Sequence, residues 1–395
     1  MKIYADSKYT KYLTKKLRRY YKEKEPHVEH VPNGIIANEH QNGFGVFDKN
    51  YKFVKSSVQN HKGHKGQFVP KFNHDSIPYV DADAVFLCHM GKNGFGHFLV
   101  EYINRAWCLM DKKYRDMKIV LVDEINAGKI KDYVYVLLGL LGVKPENIIL
   151  LDKTTQFRNV FVPTPAFDLS AYWTDSFRDM FDCIASGVPD SEKYEKIYMS
   201  KILMEMHPYG EKSIQDIFAK NGYKVICPET LPLTEQIALV KNCKYLAGCA
   251  GTPLHLALFM KPGGIVYHIK RNTVLLDNAD TQYAIDMCKG LDSVFIAGSM
   301  ETQKTDHFSC VPQVIGMTKY MKQFFDENGF KYTKSDLKNL DKEFADYQKA
   351  VANCCVKKDE IRSFKRAMVN LMACFVPGRI RRNKFRSKLQ KILRY

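Results

Sequence analysis

Two stretches of this sequence alternate strand-like and helix-like segments, and this alternation constrains the fold more than any other feature. The first stretch runs from the strand-like AVFLCHM at residues 84–90 to NIILL at residues 147–151. The second runs from KIYMS at residues 196–200 to a strand that ends at Ile269. Strands separated by helices of this length form βαβ units with mostly parallel sheets. The sequence therefore predicts an α/β protein of two successive halves, joined through residues 164–195.

Length and composition agree with such a protein. The chain has 395 residues, of which 45% are apolar and 26% charged, as is ordinary for a globular protein of about two domains. Its longest apolar run, Tyr133–Val143, is too short to cross a bilayer, which takes about 20 residues. The first residues lack the apolar core of a signal peptide, and the 11 cysteines form no CxxC pair. We therefore expect a cytoplasmic protein with free thiols and no zinc site.

The net charge of +17 is concentrated at the two ends of the chain. Residues 1–25 carry nine Lys or Arg and three Asp or Glu, whereas residues 378–395 carry eight basic residues and no acidic one. Apolar residues recur in both ends with the spacing of an amphipathic helix. They are Leu13, Leu17, Tyr20 and Tyr21 in the first end, and Phe385, Leu389, Ile392 and Leu393 in the second.

A basic amphipathic helix is typical of proteins that bind an anionic membrane surface. The alternative is a helix that packs on the body and leaves a basic face in solvent. Nucleic acid is not expected as a partner, because no binding motif occurs and the body lacks a basic stripe. We expect a peripheral protein on the inner face of the cell membrane.

A loop of small residues between a strand and a helix is the first candidate binding site. The strand ends at Gly248, the loop includes Gly251 and Thr252, and Pro253 begins the helix. Backbone N–H groups at a helix start attract phosphate, and small residues let a ligand approach closely. An ordinary tight turn is the alternative. Neither GxGxxG nor GxxxxGK[ST] occurs, which disfavours a dehydrogenase or an ATPase.

A second candidate site lies in GFGHFLVEYINRAW, residues 94–107. His97 and Glu101 are four residues apart, so they share one face of the predicted helix. A carboxylate there can act as a general base, with the histidine orienting the substrate. A helix-capping histidine and a surface glutamate are the alternative.

Asp81 and Asp83 form a DxD pattern, which in some glycosyltransferases holds a divalent metal ion and a nucleotide diphosphate. Paired carboxylates suit Mg²⁺ or Mn²⁺ bridged to phosphates. The pattern is short and stands directly before a strand, so we favour a turn or strand edge.

Three blocks of the sequence resemble glycosyltransferase family 61, which includes bacterial capsular polysaccharide biosynthesis proteins. They are GFGHFLVEYINRAW, the strand KIYMSK, and the stretch from Tyr223 to Ile269 that contains PETLPLTEQIALV and AGCAGTPLHLALFMKPGG. The resemblance covers roughly residues 80–270. Two departures concern the site: the histidine of the family's HGAG is absent, with His255 as its possible substitute one turn later, and Lys201 stands where the family has arginine.

The resemblance implies a GT-B-like architecture, in which two Rossmann-like halves face a cleft and a helical, basic segment ends the chain. The expected divisions are a basic amphipathic segment (1–25), an acceptor-side α/β domain (26–170), a nucleotide-sugar-binding Rossmann-like domain (171–312) and carboxyl-terminal helices (313–395).

The implied reaction is inverting transfer from a nucleotide sugar, with Glu101 as the base, His97 beside it and no required metal ion or cofactor. Positive groups and backbone N–H groups would stabilise the departing diphosphate, and Glu235 would bind the ribose. The expected donor-binding residues are Lys201, Glu235, Gly248, Gly251, Thr252, His255, Lys270 and Arg271.

The sequence thus predicts a glycosyltransferase that extends a capsule, O-antigen or related glycan, with a glycan or lipid-linked glycan as acceptor. The alternatives are a metal-dependent DxD-type transferase and a non-catalytic component that binds a sugar or nucleotide during polysaccharide assembly.

Overall fold

A computed structural model of the chain describes most of its residues. The described residues are 1–38, 44–58, 60–61, 64–65, 76–90, 94–123, 128–169, 171–204, 207–271, 279–300, 313–350 and 368. They form a mixed α/β structure with two large sheets, as the alternation of strands and helices predicts.

The strands, numbered along the chain, are short except for two long strands in the amino-terminal half. They are β1 (Lys2–Tyr4), β2 (Tyr21–Lys22), β3 (Val28–Pro32), β4 (Ile35–Asn38), β5 (Phe44–Phe47), β6 (Asn60–His61), β7 (His64–Lys65), β8 (Tyr79–His89), β9 (Lys118–Val122), β10 (Ile148–Leu151), β11 (Thr155–Pro163), β12 (Phe167–Asp168), β13 (Tyr172–Trp173), β14 (Lys196–Met199), β15 (Lys224–Ile226), β16 (Tyr245–Cys249), β17 (Ile265–Lys270) and β18 (Asp292–Ala297).

The helices lie between these strands and at the two ends. They are α1 (Ser7–Leu17), α2 (Phe95–His97), α3 (Lys112–Arg115), α4 (Asp132–Leu140), α5 (Asp175–Ser186), α6 (Glu211–Lys220), α7 (Leu233–Val240), α8 (Ala279–Lys289) and α9 (Lys319–Glu327). A π-helical turn, Phe98–Tyr102, and the 3₁₀ segment Ile103–Met110 continue α2, a second 3₁₀ segment spans Thr252–Phe259, and residues 334–350 are helical.

The carboxyl-terminal half contains an all-parallel six-stranded sheet in the order β15-β14-β16-β17-β18-β1. Its strands are short apolar runs such as IVYHIK, as expected where helices cover both faces. The first strand of the half, β14, lies between the second and third, so the chain reverses its direction of travel there. Such a switch point forms a crevice at the carboxyl ends of the strands.

The amino-terminal half has a mixed sheet in the order β10-β9-β8-β11-β4-β5, with β3 also paired to β11. Its four strands β8 to β11 run parallel, whereas β3, β4 and β5 add antiparallel pairs. This half therefore differs from the Rossmann-like unit that was predicted, because its first strands return as hairpin-like pairs instead of crossing over through helices.

One apolar core joins the two halves. Phe177 of α5 stacks on Phe167 with ring centroids 4.5 Å apart, and Phe181, one turn later, meets Phe259 of the carboxyl-terminal half at 5.2 Å. All four rings are at least 99% buried. The joining residues 164–195 thus form part of the core, and this packing sets the position of one half against the other.

The predicted amino-terminal helix is present as α1, but its apolar face is covered. Tyr9, Leu13 and Leu17 are buried against Ala279 of α8 and Phe295 of β18. The helix ends before Tyr20 and Tyr21, which were predicted to continue that face. Because the apolar residues of α1 are packed against the body of the protein, the helix cannot insert them into a membrane.

The carboxyl-terminal basic segment, residues 378–395, lies outside the described residues. Among the residues that are described, no helix combines the length and the apolar character needed to cross a membrane.

Candidate active site

The switch point of the carboxyl-terminal sheet gathers several of the predicted site residues. Lys201 follows the end of β14, and Gly251 follows the end of β16. Because these two strands are parallel neighbours, both loops leave the same edge of the sheet. Arg271, directly after β17, reaches the same place. Three loops from three adjacent strands therefore meet there.

Lys201 and Arg271 converge on the backbone of Gly251. A side-chain Cβ at Gly251 would lie 3.1 Å from the Lys201 Nζ and 3.8 Å from an Arg271 guanidinium nitrogen. Gly251 also has a φ of 137°, a region that favours glycine. The loop thus exposes bare backbone to two cations, as a phosphate-binding loop requires.

Positive groups outnumber negative ones where Lys201 and Arg271 meet. Lys201 is 5% exposed, and burial together with the nearby Arg271 lowers its pKa to about 8. Burial raises the pKa of Glu211 to about 7, against the attraction of Lys201, whose backbone N–H donates to the Glu211 carboxylate at 3.1 Å. Lys201 and Arg271 lie close together, and the raised pKa of Glu211 means that its carboxylate only partly compensates their charge. An anion bound there would therefore be stabilised.

His97 and Glu101 face the same region from the amino-terminal half. The His97 Nδ1 bonds the Glu101 carboxylate, and the π-helical turn Phe98–Tyr102 carries the glutamate inward. The Glu101 side chain is 1% exposed and that of His97 is 32% exposed. The glutamate therefore lies behind the histidine, the reverse of the predicted order in which Glu101 meets the substrate first.

His255 is near enough to both His97 and Lys201 for their charges to influence its pKa. It is 6% exposed, and its Nδ1 bonds the Oε1 of Gln282 at 3.0 Å. Burial, together with positive charge on His97 and Lys201, lowers the pKa of His255 to about 4, although the hydrogen bond to Gln282 acts to raise it. The ring is neutral at pH 7, so it does not supply the positive charge that was predicted for the departing diphosphate.

The two halves touch at Gly96 and Thr252, next to the two histidines. A Cβ at Gly96 would lie only 2.5 Å from the Thr252 Oγ1. Thr252 therefore packs against the other half, and this close contact brings His97 and His255 together across the boundary.

Comparison with protein families assigns a class to this arrangement. Residues 95–267 match the family model described as Glycosyltransferase 61. The protein is a glycosyltransferase. The matched domain begins one residue before Gly96 and includes the two histidines and Lys201, which confirms the resemblance to family 61 that the three sequence blocks predict. No curated protein matches the chain.

Three predicted donor-binding residues of the glycosyltransferase do not join the cluster. Lys270 extends from the last position of β17 with its Nζ 4.2 Å from the Tyr9 ring centroid of α1, because successive side chains of a strand point to opposite faces. Glu235 is exposed on the first turn of α7. Gly248 serves strand packing, since a Cβ there would lie 2.8 Å from the Met199 carbonyl oxygen.

The DxD aspartates of the glycosyltransferase are paired with Arg158 on the neighbouring strand. Its guanidinium bonds Asp83 at 3.0 Å and Asp81 at 3.2 Å, and Asn159 donates to Asp83 at 2.8 Å. Asp83 precedes the carboxyl end of β8 by about 20 Å of strand. These contacts favour the strand-edge interpretation. Over the described ranges, no three His, Cys, Asp or Glu residues are grouped to hold a metal ion.

Sequence reasoning missed Glu211, Gln282 and Asp286. Glu211 begins α6 directly after Gly210, which has a φ of 83°. Gln282 and Asp286 are four residues apart on α8 and both are at most 1% exposed. Two polar residues with i, i+4 spacing on the apolar face of a helix are the signal that could have found them.

Proposed function

We propose that this glycosyltransferase moves a sugar, with inversion, from a nucleotide-sugar donor to a hydroxyl of a growing cell-surface glycan of the capsule or O-antigen type. The donor would bind the carboxyl-terminal half and the acceptor the amino-terminal half, as in a GT-B arrangement. The convergence of Lys201 and Arg271 on the Gly251 backbone, next to His97, is the observation that carries the proposal.

Lys201 and Arg271 fit the diphosphate of the donor. Lys201 is buried and Arg271 is half-buried, so their charges act in a medium where electrostatic attraction is stronger than in water. As the bond to the sugar breaks, the diphosphate gains negative charge, which these cations and the backbone N–H groups of the loop stabilise. The chain's own cations would carry this role, so no metal ion is expected to be required.

His97 is the base in this mechanism, and Glu101 orients it. A carboxylate accepts hydrogen bonds, so the Nδ1–H of His97 is the donor to Glu101 and the lone pair lies on Nε2. The acceptor hydroxyl gives its proton to Nε2 while its oxygen bonds the anomeric carbon. The bond from that carbon to the diphosphate oxygen breaks, and its electron pair leaves with the diphosphate. Glu101 stabilises the imidazolium that forms.

The exposed face of α1 supports a place at an anionic membrane surface. Its solvent side carries only basic charges, on Lys8, Lys11 and Lys15, and Arg18 follows the helix. Since the apolar face of α1 is buried, attraction would be electrostatic. Each basic side chain near an anionic leaflet contributes about 1 kcal/mol.

Replacement of the three α1 lysines by glutamine should weaken binding to phosphatidylserine-containing vesicles by about 10²-fold. Co-sedimentation at fixed salt measures this, with Lys49, Lys52 and Lys55, exposed in the other half, as a matched triple replacement. An equal loss in both triples would point to net charge alone. Deletion of residues 378–395 tests the second basic end in the same assay.

The donor is tested by thermal shift with a panel of nucleotide sugars, with and without EDTA. A ligand present at 100 times its Kd stabilises the folded protein by about 2.7 kcal/mol. We expect one nucleotide sugar to raise the melting temperature in EDTA, and Lys201→Met to lose most of that shift.

Lys241→Met is the matched control, because Lys241 is also mostly buried and pairs with Asp190 away from the cluster. A shift that needs a divalent ion would contradict the metal-independent mechanism. A shift without turnover of any acceptor would favour the non-catalytic alternative.

A further inference from the structure

A chain of buried polar groups runs from His255 into the core of the carboxyl-terminal half. The His255 Nδ1 bonds the Gln282 Oε1 at 3.0 Å, and the Gln282 Nε2 donates to the Asp286 Oδ1 at 2.8 Å. The Ser293 Oγ of β18 shares an O–H···O hydrogen bond with the other oxygen of Asp286 at 2.6 Å. Gln282, Asp286 and Ser293 are each at most 2% exposed. Most polar groups buried at such depth are hydrogen-bonded.

The direction of these bonds determines which nitrogen of His255 carries the proton. Because Asp286 takes the NH₂ group of Gln282, the amide oxygen is the atom presented to the histidine. That oxygen can only accept, so His255 must donate through Nδ1–H. The lone pair of the ring then lies on Nε2.

The Nε2 atom of His255 has no hydrogen-bond partner within the described ranges. The neutral ring is held in place through its other nitrogen, Nδ1, which bonds Gln282. The charged groups that influence it are His97 of the amino-terminal half and Lys201 at the end of β14, with Gln282 of α8 bonded to it. A neutral Nε2 accepts a hydrogen bond, so it suits a hydroxyl and not a phosphate oxygen. The place between the proposed base and the proposed diphosphate site is where the transferred sugar would lie.

We propose that the Nε2 of His255 accepts a hydrogen bond from a hydroxyl of the transferred sugar, and that Gln282, Asp286 and Ser293 are positioning residues that fix His255 for this contact. This inference rests on the proposed function, since it takes the sugar to lie between His97 and Lys201. The positioning residues lie beyond residue 267, where the family match ends.

The tautomer is tested without any substrate. In ¹⁵N-labelled histidine spectra at pH 7, His255 should be neutral with its proton on Nδ1. Gln282→Met removes the amide and should give a mixture of both tautomers, whereas Gln282→Glu keeps an accepting oxygen and should restore the Nδ1–H form. A wild-type ring with its proton on Nε2, or a charged ring, would overturn the proposal whether or not the variants fold.

Kinetics test the contact itself, with the nucleotide sugar that the wild type turns over and its monodeoxy analogues. One hydroxyl should matter far more than the others in the wild type, because a site built to bond a hydroxyl rejects an analogue without it by up to about 10⁵-fold. Gln282→Met should lower kcat/KM for the full donor about tenfold and shrink that preference.

Asn104→Leu is the matched control, since it removes a buried amide bonded to the Phe167 carbonyl at 3.0 Å, outside this chain of groups. It should leave the preference unchanged. Equal preference in wild type and Gln282→Met would overturn the proposal. If the wild type transfers no sugar although His255 has the expected tautomer, the proposed function has failed and the positioning of the ring has not.

Discussion

His97 and His255 come from the two halves of the molecule, and their rings have different partners. His97 bonds a carboxylate and is 32% exposed, whereas His255 bonds an amide and is 6% exposed. In both rings Nδ1 bonds the partner named here, so the lone pair of the neutral ring lies on Nε2.

The partner sets what each Nε2 can do. A carboxylate behind the ring stabilises the imidazolium, so His97 can take a proton during transfer. The amide oxygen behind His255 also favours a charged ring, but burial outweighs it, so His255 stays neutral and its Nε2 can only accept a hydrogen bond. Two histidines that lie near each other need not share one role, because the group that bonds the Nδ1 of each ring determines what its Nε2 can do.

The largest expected effect comes from removing the proton acceptor. His97→Gln should lower kcat by about 10²- to 10⁴-fold, the usual range for a lost general base. Donor binding should survive, which thermal shift with the donor checks. Glu101→Gln should lower kcat less, because the ring remains present with a weaker orienting partner.

His30→Gln, at an exposed histidine of β3, is the control for this comparison. The opposite order, with Glu101→Gln inactive and His97→Gln active, would restore Glu101 as the base and end the contrast between the two rings.

A smaller effect on activity is expected from Gly96→Ala, which would push the two halves apart near the two histidines. A methyl group at Gly96 would collide with the Thr252 side chain, and overpacking of this kind costs about 1–3 kcal/mol. Gly96→Ala should therefore lower both the melting temperature and kcat. Adding Thr252→Ala removes the colliding Oγ1 and Cγ2 atoms and should recover much of both.

Gly139→Ala on α4, where a methyl group meets nothing within 4 Å, is the matched control. If Gly96→Ala changes neither quantity, the contact between the halves does not set the distance between the histidines.

The strands and the loop around the site follow from patterns that the sequence displays. The short apolar runs that became β14 and β16 and the small-residue loop at Gly251 predict a ligand site at that sheet edge. It is harder to predict which residue at the end of a strand places its side chain in the site, as Lys270 and Arg271 illustrate. They are adjacent in sequence, and the alternation of side chains along β17 directs Lys270 away, towards Tyr9 of α1.

The roles within the site depended on burial that no local pattern gives. His97 and Glu101 are equally visible in the sequence, but the π-helical turn between them decides which one faces outward. The groups behind His255 come from α8 and β18, beyond residues 80–270, to which the sequence resemblance was confined. Their contact with the site is a tertiary feature, and only their polar spacing on an apolar helix indicates it.

The pH dependence of stability, through Asp286, is a further difference between the surroundings of the two rings. Burial raises the pKa of Asp286 to about 8, so the folded protein keeps this proton where the unfolded chain, near its ordinary 3.8, has lost it. This group alone makes stability fall by about 1.4 kcal/mol per pH unit between about pH 4 and 8. The lowered pKa of His255, about 4 against 6.5, acts oppositely, but only up to about pH 6.5.

Asp286→Asn removes one of these opposing contributions and leaves the other. Relative to the wild type, the variant should gain stability as pH rises from 5 to 8, because the wild type alone then carries the growing cost of a buried carboxyl. Urea midpoints at pH 5, 6, 7 and 8 measure the difference, with the exposed Asp152→Asn as control. Parallel curves for Asp286→Asn and wild type would mean that Asp286 is ionised in the folded protein. A charged carboxylate would then stand behind Gln282, and the neutral setting that distinguishes His255 from His97 would be lost.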